Sequence, residues 1–294
     1  MGGRIDLHIH SHFSSDGDVA PERLIDLARE NGLRAISISD HDTVAAYPEA
    51  LSLGEAAGVE VIPGIELTTL HEDREFHLLL PFVDWHSETT AALEEEVRRR
   101  RMLEARDRVD KLKALGIDIE WEDVILESSP FPPLGVTIAQ AVLRKAEQNG
   151  RRDLMAYLQG ENRRFAPYHF YRDYFMDGRP ASVPRRNLPL LEALEKAKQT
   201  GGVPVLAHPG APFQRAGRED IALLKEHGLQ GLEVFTTYHD KVLTETYRAL
   251  AEEFDLAATV GSDFHGSIKP DISFGCVRDG GYGMIDELRR RRDS

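Results

Sequence analysis

The strongest constraint on the fold is a recurrence: short apolar runs end, one after another, in histidine or acidic residues. Arg4 to His8 reads as a strand, with His8 and His10 at its end. Ala35 to Ser39 runs into Asp40-His41-Asp42, and Val59 to Ile62 into Pro63-Gly64-Ile65-Glu66. Phe76 to Phe82 is a fourth run. Val203 to Ala207 leads to His208-Pro209-Gly210, Gly231 to Phe235 to Thr237-Tyr238-His239-Asp240, and Leu256 to Val260 to Gly261-Ser262-Asp263-Phe264-His265. Helical patterns separate several of these runs: Pro21 to Gly32, Pro48 to Ala57, and Leu190 to Gln199. About seven strands joined mostly through helices predict an α/β fold, its parallel sheet closed or nearly closed into a barrel.

The rhythm breaks in the middle. Glu88 to Leu115 reads as one long charged helix ended by Gly116. From Glu120 to Arg186 there is no strand rhythm, only the turn around Pro130, Pro132 and Pro133, a helix around Thr137 to Gln148, and an aromatic-basic stretch. The expected organisation is a barrel of residues 1–100 and 187–294, carrying a mainly helical insertion domain of residues 101–186.

The 294 residues suit such a barrel with an insertion, and 41% hydrophobic with 29% charged residues suits a soluble protein with a sizeable core. The net charge of −14 disfavours stable binding of duplex nucleic acid. It is compatible with an anionic substrate, because bound cations reverse the local field. The lone Cys276 cannot form an internal disulfide, no apolar stretch is long enough to span a membrane, and no leader pattern opens the chain. A cytoplasmic protein without a membrane partner is expected.

Loops at the carboxyl ends of barrel strands converge on one rim. His8, His10, His41, Glu66, His208, Asp263 and His265 all fall at such positions. Residues i and i+2 of a strand share a face, so His8 and His10 point the same way. Each side chain alone is weak evidence; a lone Asp-His or Glu is usually a cap or turn residue. Together, buried at one rim, they would be costly without cations. Imidazole and carboxylate suit Zn2+, Mn2+ or Fe2+, and without thiolates a closed cysteine-zinc site is excluded.

Asp6-Leu7-His8-Ile9-His10-Ser11, Ser15-Asp16-Gly17, Ser39-Asp40-His41-Asp42, Pro63-Gly64-Ile65-Glu66, Ala207-His208-Pro209 and Gly261-Ser262-Asp263-Phe264-His265, in that order, resemble the polymerase-and-histidinol-phosphatase (PHP) family. The resemblance implies a distorted seven-stranded β/α barrel holding up to three divalent ions. It assigns His8, His10, Glu66 and Asp263 to a first ion. Glu66, His77 and His208 would hold a second, and Asp16, His41 and His265 a third. Asp16 stands where relatives place a histidine and is a harder ligand. His77 lies near the start of its apolar run, so His71 and His86 compete with it.

The resemblance also implies phosphoester hydrolysis, with nucleotides such as 3′,5′-nucleotide bisphosphates, or short RNA 5′ ends, as substrates. Two or three ions would activate water and neutralise the phosphate. Asp6, Asp40 and Asp42 are expected to orient histidines, or else to cap turns; His239 is a candidate to protonate the leaving oxygen or contact a phosphate, or else to start a helix. In the insertion, Arg163, Arg164, Arg172, Arg185 and Arg186 lie among Tyr168, Phe170, Tyr171, Tyr174 and Phe175. Guanidinium forks bind phosphate and aromatic faces stack on bases, so these are candidate substrate-binding residues. The competing readings are a histidinol-phosphate-type phosphatase, an amidohydrolase-like enzyme and a non-catalytic PHP module. An amidohydrolase would bridge its ions with a lysine, which none of the first six strand ends supplies.

Overall fold

The computed structural model describes residues 3–293, apart from the side chains of Arg152, Glu161, Asn162 and Arg164. The fold is mixed α/β. In chain order the elements are β1 (Arg4–Ile9), α1 (Pro21–Glu30), β2 (Leu33–Ile38), α2 (Tyr47–Ala57), β3 (Glu60–Val61), β4 (Glu66–His71), β5 (Arg74–Leu79) and α3 (Glu88–Ala114). Then come α4 (Trp121–Ser128), α5 (Gly135–Asn149), α6 (Arg152–Met155) and α7 (Ala166–Tyr174), with two short 3-10 turns before α7. The chain finishes with β6 (Leu188–Pro189), α8 (Leu190–Ala197), β7 (Val205–Leu206), α9 (Arg218–Glu226), β8 (Gly231–Thr236), α10 (Lys241–Glu253), β9 (Ala257–Gly261) and α11 (Gly283–Arg292).

These elements form two compact units, residues 1–94 with 188–294, and residues 95–187. In the first, β1, β2 and β3 make a parallel sheet, and β6-β4-β5-β7-β8-β9 make a second. Strand period two sorts the side chains of β1: Ile5 and Leu7 join an apolar cluster with Ala35, Val205, Ala257 and the α11 residues Ile285 and Leu288, while Asp6 and His8 take the other face. Helix α1 begins with Pro21 at its first turn and buries Pro21, Leu24, Ile25 and Ala28, the spacing of one helical face. Helix α10 starts at Asp240, whose carboxylate accepts the Leu243 N–H at 2.9 Å.

The expected all-parallel order is corrected at one place. Strand β5 runs antiparallel to both β4 and β7. The cause is local: Glu72-Asp73 forms a two-residue turn with Glu72 at φ 55°, which folds β4 and β5 into a hairpin. Reading Glu66 as a loop residue overlooked β4 altogether.

Among its described residues, the second unit has helices joined by loops and no strand. Its core packs Val109 and Leu112 of α3 with Val124, Ile138, Val142, Phe170 and Phe175. The charged surface of α3 is laced by pairs one turn apart, such as Arg100–Glu96 at 2.8 Å and Arg108–Glu104 at 2.7 Å.

Candidate metal centre

Strand ends of the first unit bring the expected side chains together. Glu66, the first residue of β4, is fully buried. Its Oε2 lies 3.1 Å from His8 Nε2, 3.2 Å from His10 Nε2 and 3.3 Å from His41 Nδ1. Its Oε1 lies 2.9 Å from His77 Nδ1 and 3.3 Å from His208 Nε2. Asp263, just past β9, places Oδ1 3.2 Å from both His8 Nε2 and His10 Nε2. Asp16 Oδ2 lies 3.3 Å from His265 Nε2 and 3.5 Å from His41 Nε2. Three groups therefore have the spacing to hold an ion: His8, His10, Glu66 and Asp263; His41, Glu66 and His77; and His10, Asp16, His41 and His265.

The donor set fits divalent cations. His8 Nε2, His10 Nε2, His265 Nε2, His208 Nδ1 and Glu66 Oε2 are buried without a hydrogen-bond partner. Several of these atoms face one another at ion-pair distance, yet they lack the alignment of a hydrogen bond. His8 Nε2, His10 Nε2 and Glu66 Oε2 face one another, and such orphaned polar atoms are costly unless a cation joins them. Titration behaviour agrees. Burial alone would push Glu66 up, but His8, His41 and His77 hold it well below the usual carboxylate range. Burial would lower His10 and His77, yet contacts with Asp263 and Glu66 raise His10 to about 9, and Glu66 raises His77 to about 10. For His41 burial wins over Glu66 and Asp16, and it falls to about 4. Around Glu66 the carboxylates favour positive charge on His10 and His77, while burial disfavours it on His41.

Backbone and supporting side chains hold this geometry. Asp42, His208 and Asp263 have φ of 59°, 26° and 58°, a left-handed backbone that is uncommon for non-glycine residues and must be held by its surroundings. Glu233, buried on β8, was not foreseen. Its Oε1 lies 3.0 Å from His8 Nδ1, and its Oε2 accepts the His208 N–H at 2.7 Å. A Cβ on Gly261 would meet Glu233 Oε1 at 2.1 Å and His8 Cβ at 2.3 Å, so only glycine leaves room for this pair. Gln214 accepts the His77 N–H at 2.9 Å and donates to the His208 carbonyl at 3.2 Å, linking β5 to the loop after β7.

Comparisons with known proteins point to one family. The PHP domain profile matches residues 6–117. The phosphoribosyl 1,2-cyclic phosphate 1,2-diphosphodiesterase of Eggerthella lenta is 30% identical over 277 residues, covering 92% of this chain and 97% of that protein. The chain belongs to the PHP family. A 5′-3′ exoribonuclease of Haemophilus influenzae is 28% identical over 271 residues, covering 90% of this chain and 91% of its own. A crystal structure from Bifidobacterium adolescentis, described as a metal-dependent phosphoesterase, superposes with a TM-score of 0.75 at 28% identity, covering 98% of this chain and 96% of that one. As a PHP member the protein is a metal-dependent phosphoesterase.

Other candidate residues of this PHP chain have different surroundings. His71 ends β4 opposite Arg74, and the His86 ring packs at a tilt against Trp85, so neither replaces His77 beside Glu66. Asp6 accepts the Ser262 N–H at 2.9 Å and the His8 N–H at 3.3 Å, and burial raises its carboxyl to about 6. Asp40 accepts the Ser11 N–H and O–H, each at 2.6 Å, and Asp42 accepts the Thr68 N–H at 3.0 Å. These bonds position the backbone segments that carry the histidines. His239 has both nitrogens engaged: Nε2 accepts the Gly210 N–H at 2.9 Å, and Nδ1 lies 2.9 Å from the Val234 carbonyl. Its ring stacks on Tyr247 at 4.8 Å, so the geometry gives it a bracing role in place of proton delivery.

In the second unit, the described arginines are held by neighbouring carboxylates. Arg163 pairs with Glu147, Arg172 with Asp173, Arg185 with Asp177 and Arg186 with Asp107. The Arg164 side chain lies outside the described residues. Phe170 and Phe175 are buried in the helical core and present no face to a base, whereas Tyr168 is exposed.

Proposed function

We propose that the protein hydrolyses phosphate esters of nucleotides, including 3′,5′-nucleotide bisphosphates and short RNA 5′ ends, with two or three divalent ions of the Mn2+, Fe2+ or Zn2+ class. The reading rests on one observation: the orphaned Nε2 atoms of buried His8 and His10 converge on the orphaned Oε2 of Glu66. His8, His10, Glu66 and Asp263 would hold one ion; Glu66, His77 and His208 a second; Asp16, His41 and His265 a third. Divalent ions supply such a site with activated water and with charge that neutralises the phosphoryl oxygens.

The chain's own residues do the positioning. With the Nδ1 proton of His8 given to Glu233, Nε2 keeps its lone pair for the centre. His265 is fixed the same way, its Nδ1 lying 2.7 Å from the Asp263 carbonyl. The two sheets are proposed to act as one distorted seven-stranded barrel, supported by the bridges Ile9–Phe264 and His41–Glu66 at their edges. Residues 95–187 are proposed to select the substrate, their exposed arginines offering guanidinium forks for further phosphates. The lone Cys276 suits a reducing cytoplasm.

Phosphate release, measured with each divalent ion on a 3′,5′-nucleotide bisphosphate, a sugar phosphate and a 5′-phosphorylated RNA, tests the reading. Preference for either nucleotide substrate is expected. Preference for the sugar phosphate would overturn the substrate class, and no release from any ester would overturn phosphoesterase chemistry.

A further inference from the structure

Asp263 divides its two oxygens between different tasks. While Oδ1 faces His8 and His10, Oδ2 accepts the Tyr238 O–H at 2.7 Å and the Lys269 ammonium at 2.6 Å. Lys269 Nζ also donates to the Tyr238 hydroxyl at 3.1 Å, and one third of its side chain remains open to solvent. A cation therefore stands at the outer edge of the cluster, on the side of Asp263 away from the histidines.

An aromatic wall adjoins it. The Tyr238 ring lies 5.0 Å from His208. Phe213 lies 5.9 Å from Tyr238, 5.4 Å from His208 and 5.8 Å from His77, and it is 51% exposed. An exposed phenyl is ordinary on a protein surface. Here, though, the ring touches two candidate metal ligands, and its neighbour Gln214 is buried and bonded to the backbone of both. Its position is fixed by the site itself.

We propose that Phe213, Tyr238 and Lys269 form a nucleotide subsite beside the metal centre, in which Lys269 holds a phosphoryl oxygen and Phe213 stacks on the base. The proposal builds on the phosphoesterase reading for its ligand class. Tyr238, bonded to Asp263 and Lys269, keeps the ammonium at the centre's edge while Phe213 supplies a sequence-tolerant face.

Calorimetric titration of the ion-loaded protein with a hydrolysis-resistant phosphonate analogue of AMP and with methylphosphonate separates the contributions. Phe213→Ala should weaken the nucleotide analogue about tenfold and leave methylphosphonate unchanged. Lys269→Met should weaken both, about tenfold or more. Phe213→Leu, which preserves bulk, should show the same split and serves if the alanine variant does not fold. Equal effects of either Phe213 variant on the two ligands, no effect on either, or no binding of the analogue by the wild type would overturn the subsite. Analogue binding without hydrolysis of any ester would instead count against the enzymatic reading and leave the subsite standing.

Discussion

The two units place polar and apolar groups in opposite ways. Residues 95–187 bury an apolar core and keep most of their charges outside, with Arg163, Arg172, Arg185 and Arg186 each beside a carboxylate. The first unit buries His8, His10, Glu66, Glu233 and Asp263 and leaves several of their atoms without hydrogen-bond partners. The helical unit is organised around an apolar core, whereas the other is organised around a cluster of buried ionisable groups. Its charges should therefore matter by orders of magnitude for turnover, and the surface ion pairs of the helical unit hardly at all for stability.

Asp263→Asn should show the largest effect. It removes a charge that faces His8, His10 and Lys269, and a loss of several kcal/mol of charge stabilisation corresponds to roughly a thousandfold in turnover. Steady-state kinetics with circular dichroism would check it; wild-type turnover in a folded variant would break the contrast. Adding divalent ions to chelator-treated protein should stabilise the fold by about 4 kcal/mol at a thousandfold excess over Kd. Thermal unfolding reads this directly, and an unchanged midpoint would mean that the buried cluster needs no cation. Glu233→Gln should come next, lowering metal affinity or activity about 10- to 100-fold through loss of His8 orientation. Metal titration would register it, and unaltered affinity would reduce Glu233 to a packing residue. Arg186→Ala should be smallest, within about 1 kcal/mol by denaturant unfolding, because its pair with Asp107 is solvent-exposed. A larger loss would make this surface pair part of the helical unit's stability.

Much of this contrast is legible in the sequence. The strand-end rule gathers His8, His10, His41, Glu66, His208, Asp263 and His265, and the structure brings all of them into one region. His77 resisted the rule because β5 runs backwards: the early residues of an antiparallel strand reach the end where its parallel neighbours finish. Glu233 escaped because it lies inside an apolar run, away from any strand end. The available signal was energetic, since a lone carboxylate in a buried strand requires a partner. Tyr238 and Lys269 meet at Asp263 only through tertiary packing, which no spacing records. The aromatic-basic stretch is ambiguous in sequence, because surface pairing and core packing use the same residue types as phosphate and base recognition.

The β4–β5 hairpin has a consequence for how the chain is tied together. Glu66 and His77 sit on adjoining strands of one short hairpin, whereas His8 and Asp263 meet from opposite ends of the sequence. Closing a long loop costs more chain entropy than closing a short one. An ion shared by Glu66 and His77 would therefore pin a contact the backbone already makes. One shared by His8 and Asp263 would work as a cross-link, fastening the first strand to the last and restricting the unfolded chain as a long-range disulfide does.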